Sequence, residues 1–308
     1  MSVGTAIVLG APRSGTTFLM SALSAHPQLE CVTGNLLPVG VAHLAAQDLP
    51  EDLREALERS LRVALADYLQ SSLYHARTAA IRKWWIASRR PSSLVSAASG
   101  RRGEHTLVYK EPFLAFAPEL AYRAVPDARL LYISRDGRDV ADSLVRSYDI
   151  LTDEKLADLD NNELHIGRRV GELHVPWWVG EGETAAFLDA TPYVRAVWMW
   201  REMVRRCREF FERPDVAAGG RVLHVRYEAL IADPMAQGQA IAAHLGEQLT
   251  PRMRRRLQSA HPRSLGIHRA RAQAQLAGAE RIAGAELAAL GYPLSSDASL
   301  REGELTPG

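Results

Sequence analysis

A short apolar run, Ala6-Ile7-Val8-Leu9, passes directly into Gly10-Ala11-Pro12-Arg13-Ser14-Gly15-Thr16-Thr17. A helical pattern carried by Phe18, Leu19, Met20 and Leu23 follows, and His26-Pro27 ends it. A glycine-containing turn between a strand and a helix N-terminus is a cradle for phosphate, because backbone N–H groups and the helix dipole converge on one anion. The spacing is that of the nucleoside-triphosphate loop G-x-x-x-x-G-K-[ST], with one difference: Thr16 stands in the place of the lysine. Without an ammonium for a β- or γ-phosphate, triphosphate hydrolysis is poorly served. Arg13 instead supplies a planar fork suited to one short anionic group. The loop therefore predicts a nucleotide whose 5′ end is not a triphosphate, held on a βα unit.

A second strand-to-helix junction follows later. Ala128-Arg129-Leu130-Leu131-Tyr132-Ile133-Ser134 is an apolar strand that emerges as Arg135-Asp136-Gly137-Arg138-Asp139-Val140-Ala141-Asp142-Ser143, spaced R-x-x-x-D-x-x-x-S. Together, GAPRSGTT and SRDGRDVADS resemble the two nucleotide-binding signatures of the bacterial-type, P-loop-like sulfotransferases that use 3′-phosphoadenosine 5′-phosphosulfate (PAPS). The resemblance implies that Pro12, Arg13, Ser14, Gly15, Thr16 and Thr17 hold the 5′-phosphosulfate, and that Arg135 and Ser143 hold the 3′-phosphate. Val225-Arg226-Tyr227-Glu228-Ala229-Leu230 with Asp233-Pro234 is similar to the family's Y-E-D-L … P segment, which implies that Tyr227 lies near the adenine. Ser264-Leu265-Gly266-Ile267-His268-Arg269 with Leu290-Gly291-Tyr292 resembles the family's S-x-G-R-W-R … L-G-Y ending. His268 takes the tryptophan's place, so the resemblance sets it against the nucleotide or its 3′-phosphate, with Arg269 and Arg263 near. The likeness runs from residue 6 to residue 292, and PAPS is the implied co-substrate, with no metal required.

Composition agrees with an enzyme of this kind. The 308 residues are 47% hydrophobic, enough for a sizeable core, and no Pro/Gly/Ser-rich linker divides them. The expected fold class is α/β: one domain over residues 1–295, a parallel β-sheet flanked by helices. Insertions at about 45–105 and 150–192 would cover the acceptor site, and 296–308 would form a flexible tail. The balance of 37 basic against 36 acidic residues gives no pull toward nucleic acid or an anionic membrane, so an anion site must be a local concentration of arginines. Cys31 and Cys207 read as reduced, buried hydrophobes of a cytoplasmic protein. No stretch approaches the roughly 20 apolar residues of a membrane span, so stable membrane insertion is not expected. A homodimer is left open.

Periodicity predicts the other elements. Leu53, Leu57, Leu61, Leu65 and Leu69 recur every four positions, predicting helices over 50–90. Leu107-Val108-Tyr109 reads as a strand, Leu114 to Ala124 as a helix, and Arg221 to Tyr227 as a strand. Val197, Trp200, Val204, Cys207 and Phe211 step along one helix face. Residues 151–190 have no sustained period and read as a loop-rich cover. Right-handed crossovers then give a parallel sheet, with ligands bound beyond the carboxyl ends of its strands.

Sulfuryl transfer needs an activated acceptor hydroxyl, in-line approach and stabilisation of charge on the leaving oxygen. Lys110 resembles the lysine of the family's K-x-P motif and is assigned, with Arg13, to the transferring oxygens. The general base is Glu111 or a histidine among His43, His165 and His174. Glu111 reads equally well as a structural carboxylate, since it follows Lys110 on a strand and faces the opposite side. Trp84-Trp85 and Trp177-Trp178 read as core of the insertions, or as walls of an apolar acceptor pocket. Arg252-Met253-Arg254-Arg255-Arg256 reads as a solvated helix face. The acceptor is a small hydroxyl compound, metabolite or glycolipid; a nucleotide kinase and a non-catalytic nucleotide-binding protein are the alternatives.

Overall fold

The computed structural model of the chain describes residues 4–33, 39–74, 106–158 and 167–295. Its elements begin with strand β1 (Gly4–Leu9), helix α1 (Thr16–Leu23), β2 (Leu29–Thr33), α2 (Val39–Ala45), α3 (Glu51–Tyr74) and β3 (Thr106–Lys110). They continue with α4 (Pro118–Ala124), β4 (Arg129–Ser134), α5 (Gly137–Tyr148), α6 (Asp153–Ala157), β5 (Gly167–Val170) and β6 (Leu173–Pro176). The last third holds α7 (Thr184–Leu188), α8 (Pro192–Phe211), α9 (Pro214–Ala218), β7 (Val222–Arg226), α10 (Tyr227–Ala232), α11 (Pro234–His244), α12 (Pro251–Leu257) and α13 (Gln273–Ala289). Two compact units divide the chain, Met1–Ser134 with Arg206–Pro262 and Arg135–Arg205 with Arg263–Gly308.

The first unit carries a five-stranded sheet in the order β2-β3-β1-β4-β7, with every pair parallel. The expected α/β class is therefore the observed one. β1 lies at the centre, and Ala6, Ile7, Val8 and Leu9 are all 0% exposed. Burial on both faces is why this strand reads as an uninterrupted apolar run. Edge strand β2 is the strand of this sheet that the sequence reading omits. Its five residues Leu-Glu-Cys-Val-Thr lack a continuous apolar run, and only pairing with β3 makes them a strand. Cys31 and Cys207 are both free thiols; Cys207 is buried as expected, Cys31 on the edge strand only half-buried, and desolvation pushes both pKa values up. The helix expected over 114–124 is two pieces, a 3₁₀ turn at Pro112–Phe116 and α4. Pro118 has no N–H for a continuing ladder, and instead occupies the first helical position of α4.

The second unit differs more from expectation. Residues 151–190, expected as loop, contain α6, the antiparallel β5–β6 hairpin, a 3₁₀ turn at Glu181–Glu183 and α7. Their apolar residues follow no period, yet Leu156, Val175, Trp178, Val179 and Phe187 are all buried. Phe187 meets Trp178 and Trp198 edge-on, with ring centroids 5.7 and 5.8 Å away, so Trp178 is core. Arg195, 2% exposed, donates to the carbonyls of Phe187, Leu151 and Leu188 and to Asp153, which fastens these short pieces to α8. The helix read from Val197 onward begins at Pro192. Among the described residues no helix is long and apolar enough to cross a membrane. Trp84, Trp85 and His165, residues 75–90 of the predicted helices and the tail from residue 296 lie outside the described residues.

Candidate functional site

In the first unit, β1 delivers the loop Gly10–Thr17 to the carboxyl end of the sheet. Ser14 N–H donates to the Ala11 carbonyl at 3.1 Å, closing the turn, and α1 opens at Thr16. Gly15 is the cap of that helix and has no side chain to satisfy its first N–H groups, which are the anion-binding groups of such a loop. Its φ of +93° is left-handed, and a Cβ here would stand 2.2 Å from Cδ2 of Tyr227. Arg13 is also left-handed, at φ 70°, a strained backbone, and the residue is exposed. Ser14 is 0% exposed, and its Oγ has no hydrogen-bond partner among the described residues. A buried hydroxyl without a partner is costly, and an incoming anionic oxygen would satisfy it. The donors therefore fit a phosphate or phosphosulfate end.

Three further predicted residues, Lys110, Glu111 and Tyr227, share this unit and this end of the sheet. Lys110 is the last residue of β3, half-buried and in register with Val8. Glu111, 5% exposed, donates its N–H to the Val8 carbonyl at 3.2 Å. Its Oε1 accepts the Phe113 N–H at 3.1 Å and so caps the 3₁₀ turn. Tyr227, 8% exposed, opens α10 directly after β7 and lays its ring against Gly15. His43 sits half-buried on α2, its pKa pushed down by burial and then by Arg206. On α12, Arg252, Arg254 and Arg255 are exposed while Met253 and Leu257 are buried, and Arg256 donates to Ser21 Oγ at 2.8 Å.

The second unit holds the other predicted set. Asp136 caps α5, its Oδ1 accepting the Arg138 N–H at 2.9 Å. Arg138 returns two side-chain bonds to Asp136 and one to Glu280, so this arginine of the motif is structural. Arg135, 4% exposed, donates from Nη2 to the Ser264 carbonyl and stands 3.6 Å from Asp139. Trp200 Nε1 donates to the Arg135 carbonyl at 3.1 Å. The Trp200 ring rests on Gly137, where a Cβ would stand 2.3 Å away, so only glycine admits the indole. Trp200 was legible only as one apolar position of a helix face. Ser143 is half-buried, two helical turns into α5. His268, 8% exposed, is drawn onto Asp139 at 2.6 Å through Nδ1. Arg269 and Arg263 are exposed, and His174 is half-buried on β6.

Comparison with known proteins fits this geometry. The model described as the sulfotransferase family matches residues 6–177, from β1 through the β5–β6 hairpin. No curated protein matches the chain. Among solved structures, the sulfotransferase domain of the Synechococcus PCC 7002 olefin synthase is similar at TM-score 0.50 and 17% identity, over 95% of this chain and 96% of that one. The sulfotransferase STF9 from Mycobacterium avium gives TM-score 0.50 and 17% identity, over 96% of this chain and 79% of that one. At such identities the likeness is one of fold.

Proposed function

The chain belongs to the sulfotransferase family, and from that premise we propose that it transfers a sulfuryl group from PAPS to a hydroxyl of a small organic acceptor, metabolite or glycolipid. In the reaction the acceptor oxygen bonds to sulfur, and the bond from sulfur to the bridging oxygen breaks. 3′-Phosphoadenosine 5′-phosphate (PAP) leaves with the electron pair, and the hydroxyl proton passes to a base.

The observation that carries this reading is the loop itself. It has a phosphate cradle without the lysine of triphosphate enzymes, and it contains a buried hydroxyl that lacks a partner. Ser14, Thr16, Thr17 and the N–H groups at the start of α1 would bind the phosphosulfate, and Pro12 and Gly15 would shape their turn. Arg13 and Lys110 would neutralise charge building on the leaving oxygen, a role in which preformed charge outweighs covalent participation. Tyr227 would pack on the adenine while bracing Gly15. Arg135, Ser143, His268 and Arg269 would hold the 3′-phosphate. Glu111 is the base in this reading, its carboxylate fixed by the Phe113 N–H.

The experiment is calorimetry of PAP, ADP and AMP on the wild type and on Arg135→Ala without metal, joined to turnover of PAPS by Lys110→Ala and Glu111→Gln. Preference for PAP that collapses in Arg135→Ala supports the donor assignment. Equal or tighter binding of ADP refutes it. Undiminished turnover at saturating PAPS in Glu111→Gln removes that residue as the base.

A further inference from the structure

In the R-x-x-x-D-x-x-x-S motif the arginine and the serine have roles and the aspartate has none. Asp139 is 2% exposed, yet its carboxylate gathers four groups of the second unit. Oδ2 accepts the Gly266 N–H at 2.7 Å, and Oδ1 accepts the His268 N–H at 3.1 Å. His268 Nδ1 stands 2.6 Å from Oδ1, and Arg135 Nη2 stands 3.6 Å from Oδ2. Burial works against the charge of this carboxyl. Hydrogen bonds from the His268 ring and from the N–H groups of His268 and Gly266 outweigh it, and the pKa lies below its ordinary 3.8.

An ionised Asp139 fixes the imidazole. Only a protonated Nδ1 is compatible with a carboxylate oxygen at 2.6 Å, so Nε2 is the nitrogen left to meet a ligand. The guanidinium of Arg135 and the ring of His268 flank the same carboxylate, so they are neighbours held on one anchor. Removing the carboxylate would take a counter-charge from the buried Arg135 guanidinium, leave the His268 ring without its anchor and release the Gly266–His268 segment from α5.

We propose that Asp139 is a positioning residue for 3′-phosphate recognition: it holds Arg135 and His268 as a pair, so that a nucleotide phosphorylated at the 3′ position is preferred to one that is not. The proposal rests on the PAPS reading above and extends it to a residue that acts through Arg135 and His268.

The test is calorimetry with PAP and AMP on the wild type, Asp139→Asn, His268→Gln and the double variant, with a thermal melt of each. Either single variant is expected to weaken PAP by about tenfold or more and to change AMP by no more than about twofold. The double variant is expected to be about as weak as either single one, because the two residues act as a unit. A purely structural Asp139 would lower both affinities by one factor, or lower the melt and leave their ratio intact, and either result overturns the proposal. Should Asp139→Asn not fold, His268→Gln keeps the carboxylate and both backbone bonds and carries the same readout: an unchanged PAP/AMP ratio overturns the proposal. A wild type without preference for PAP overturns the donor reading itself, and is seen before any variant is measured.

Discussion

The ring of Tyr227 occupies the space that a side chain on Gly15 would need, with Cδ2 2.2 Å and Cε2 2.6 Å from the position of a Cβ. The first residue after β7 thus sets the shape of the loop after β1. Gly15→Ala meets two obstacles, the ring and a φ of +93°, and is expected to lose about 1–3 kcal/mol of stability together with PAP affinity. Tyr227→Ala in that background removes the ring and leaves the backbone strain, so it is expected to recover only part of the loss. Full recovery in urea unfolding would show that the left-handed backbone costs nothing.

Ser14 predicts the opposite sign for the free protein. Its Oγ is buried and has no partner among the described residues, so Ser14→Ala deletes an unsatisfied hydroxyl. Stability is expected to stay level or rise by up to about 1 kcal/mol, while PAP binding falls by about tenfold. A destabilised variant with intact PAP binding would place the hydroxyl in the fold and outside the ligand site.

At the start of α5, Asp136 does two jobs, capping the helix through the Arg138 N–H and gripping the Arg138 guanidinium at 2.8 Å. Asp136→Ala is expected to cost about 2 kcal/mol or more, since it removes a cap and one partner of a buried ion pair. Glu280 keeps its bond at 2.8 Å, which bounds the damage. Chemical denaturation showing a loss under about 0.5 kcal/mol would contradict the capping account.

Asp139 also writes a pH dependence. Its pKa in the folded chain is below 3.8, so the unfolded chain binds more protons as the medium turns acid. The stability it contributes is therefore fully present above the unfolded value and is lost as pH falls below about 4 through the folded pKa. Thermal melts from pH 6 to pH 2.5 are expected to decline less steeply in Asp139→Asn than in the wild type. Parallel declines would mean that other carboxylates govern the acid limb.

Sequence and structure agree where one physical signal dominates. Ala6–Leu9 is legible because a central parallel strand must be apolar on both faces, and the Gly10–Thr17 turn because its glycines stand between that strand and a helix N-terminus. β2 is not legible, since its strand character comes from β3 beside it. The hairpin and short helices of 151–190 escape for a related reason: their buried residues pack on Arg195, Trp198 and each other without a period. Within the site, Arg135 and His268 stand out by spacing and resemblance. Asp139 is legible as a position of the motif and Trp200 as one of a helix face, but not their organising parts, because a buried aspartate and a helix-face tryptophan acquire those only from residues far away in the chain.

The strand order also governs the birth of the protein. β1 leaves the ribosome well before either of its neighbours: the first begins at Thr106 and the second at Arg129. β2, the next strand in the chain, pairs with β3 and offers β1 nothing. The central apolar strand and the glycine loop it carries must therefore wait, unpaired, through about a hundred residues of translation. For a growing chain that interval is when association with the wrong surface is most dangerous and chaperone protection matters most.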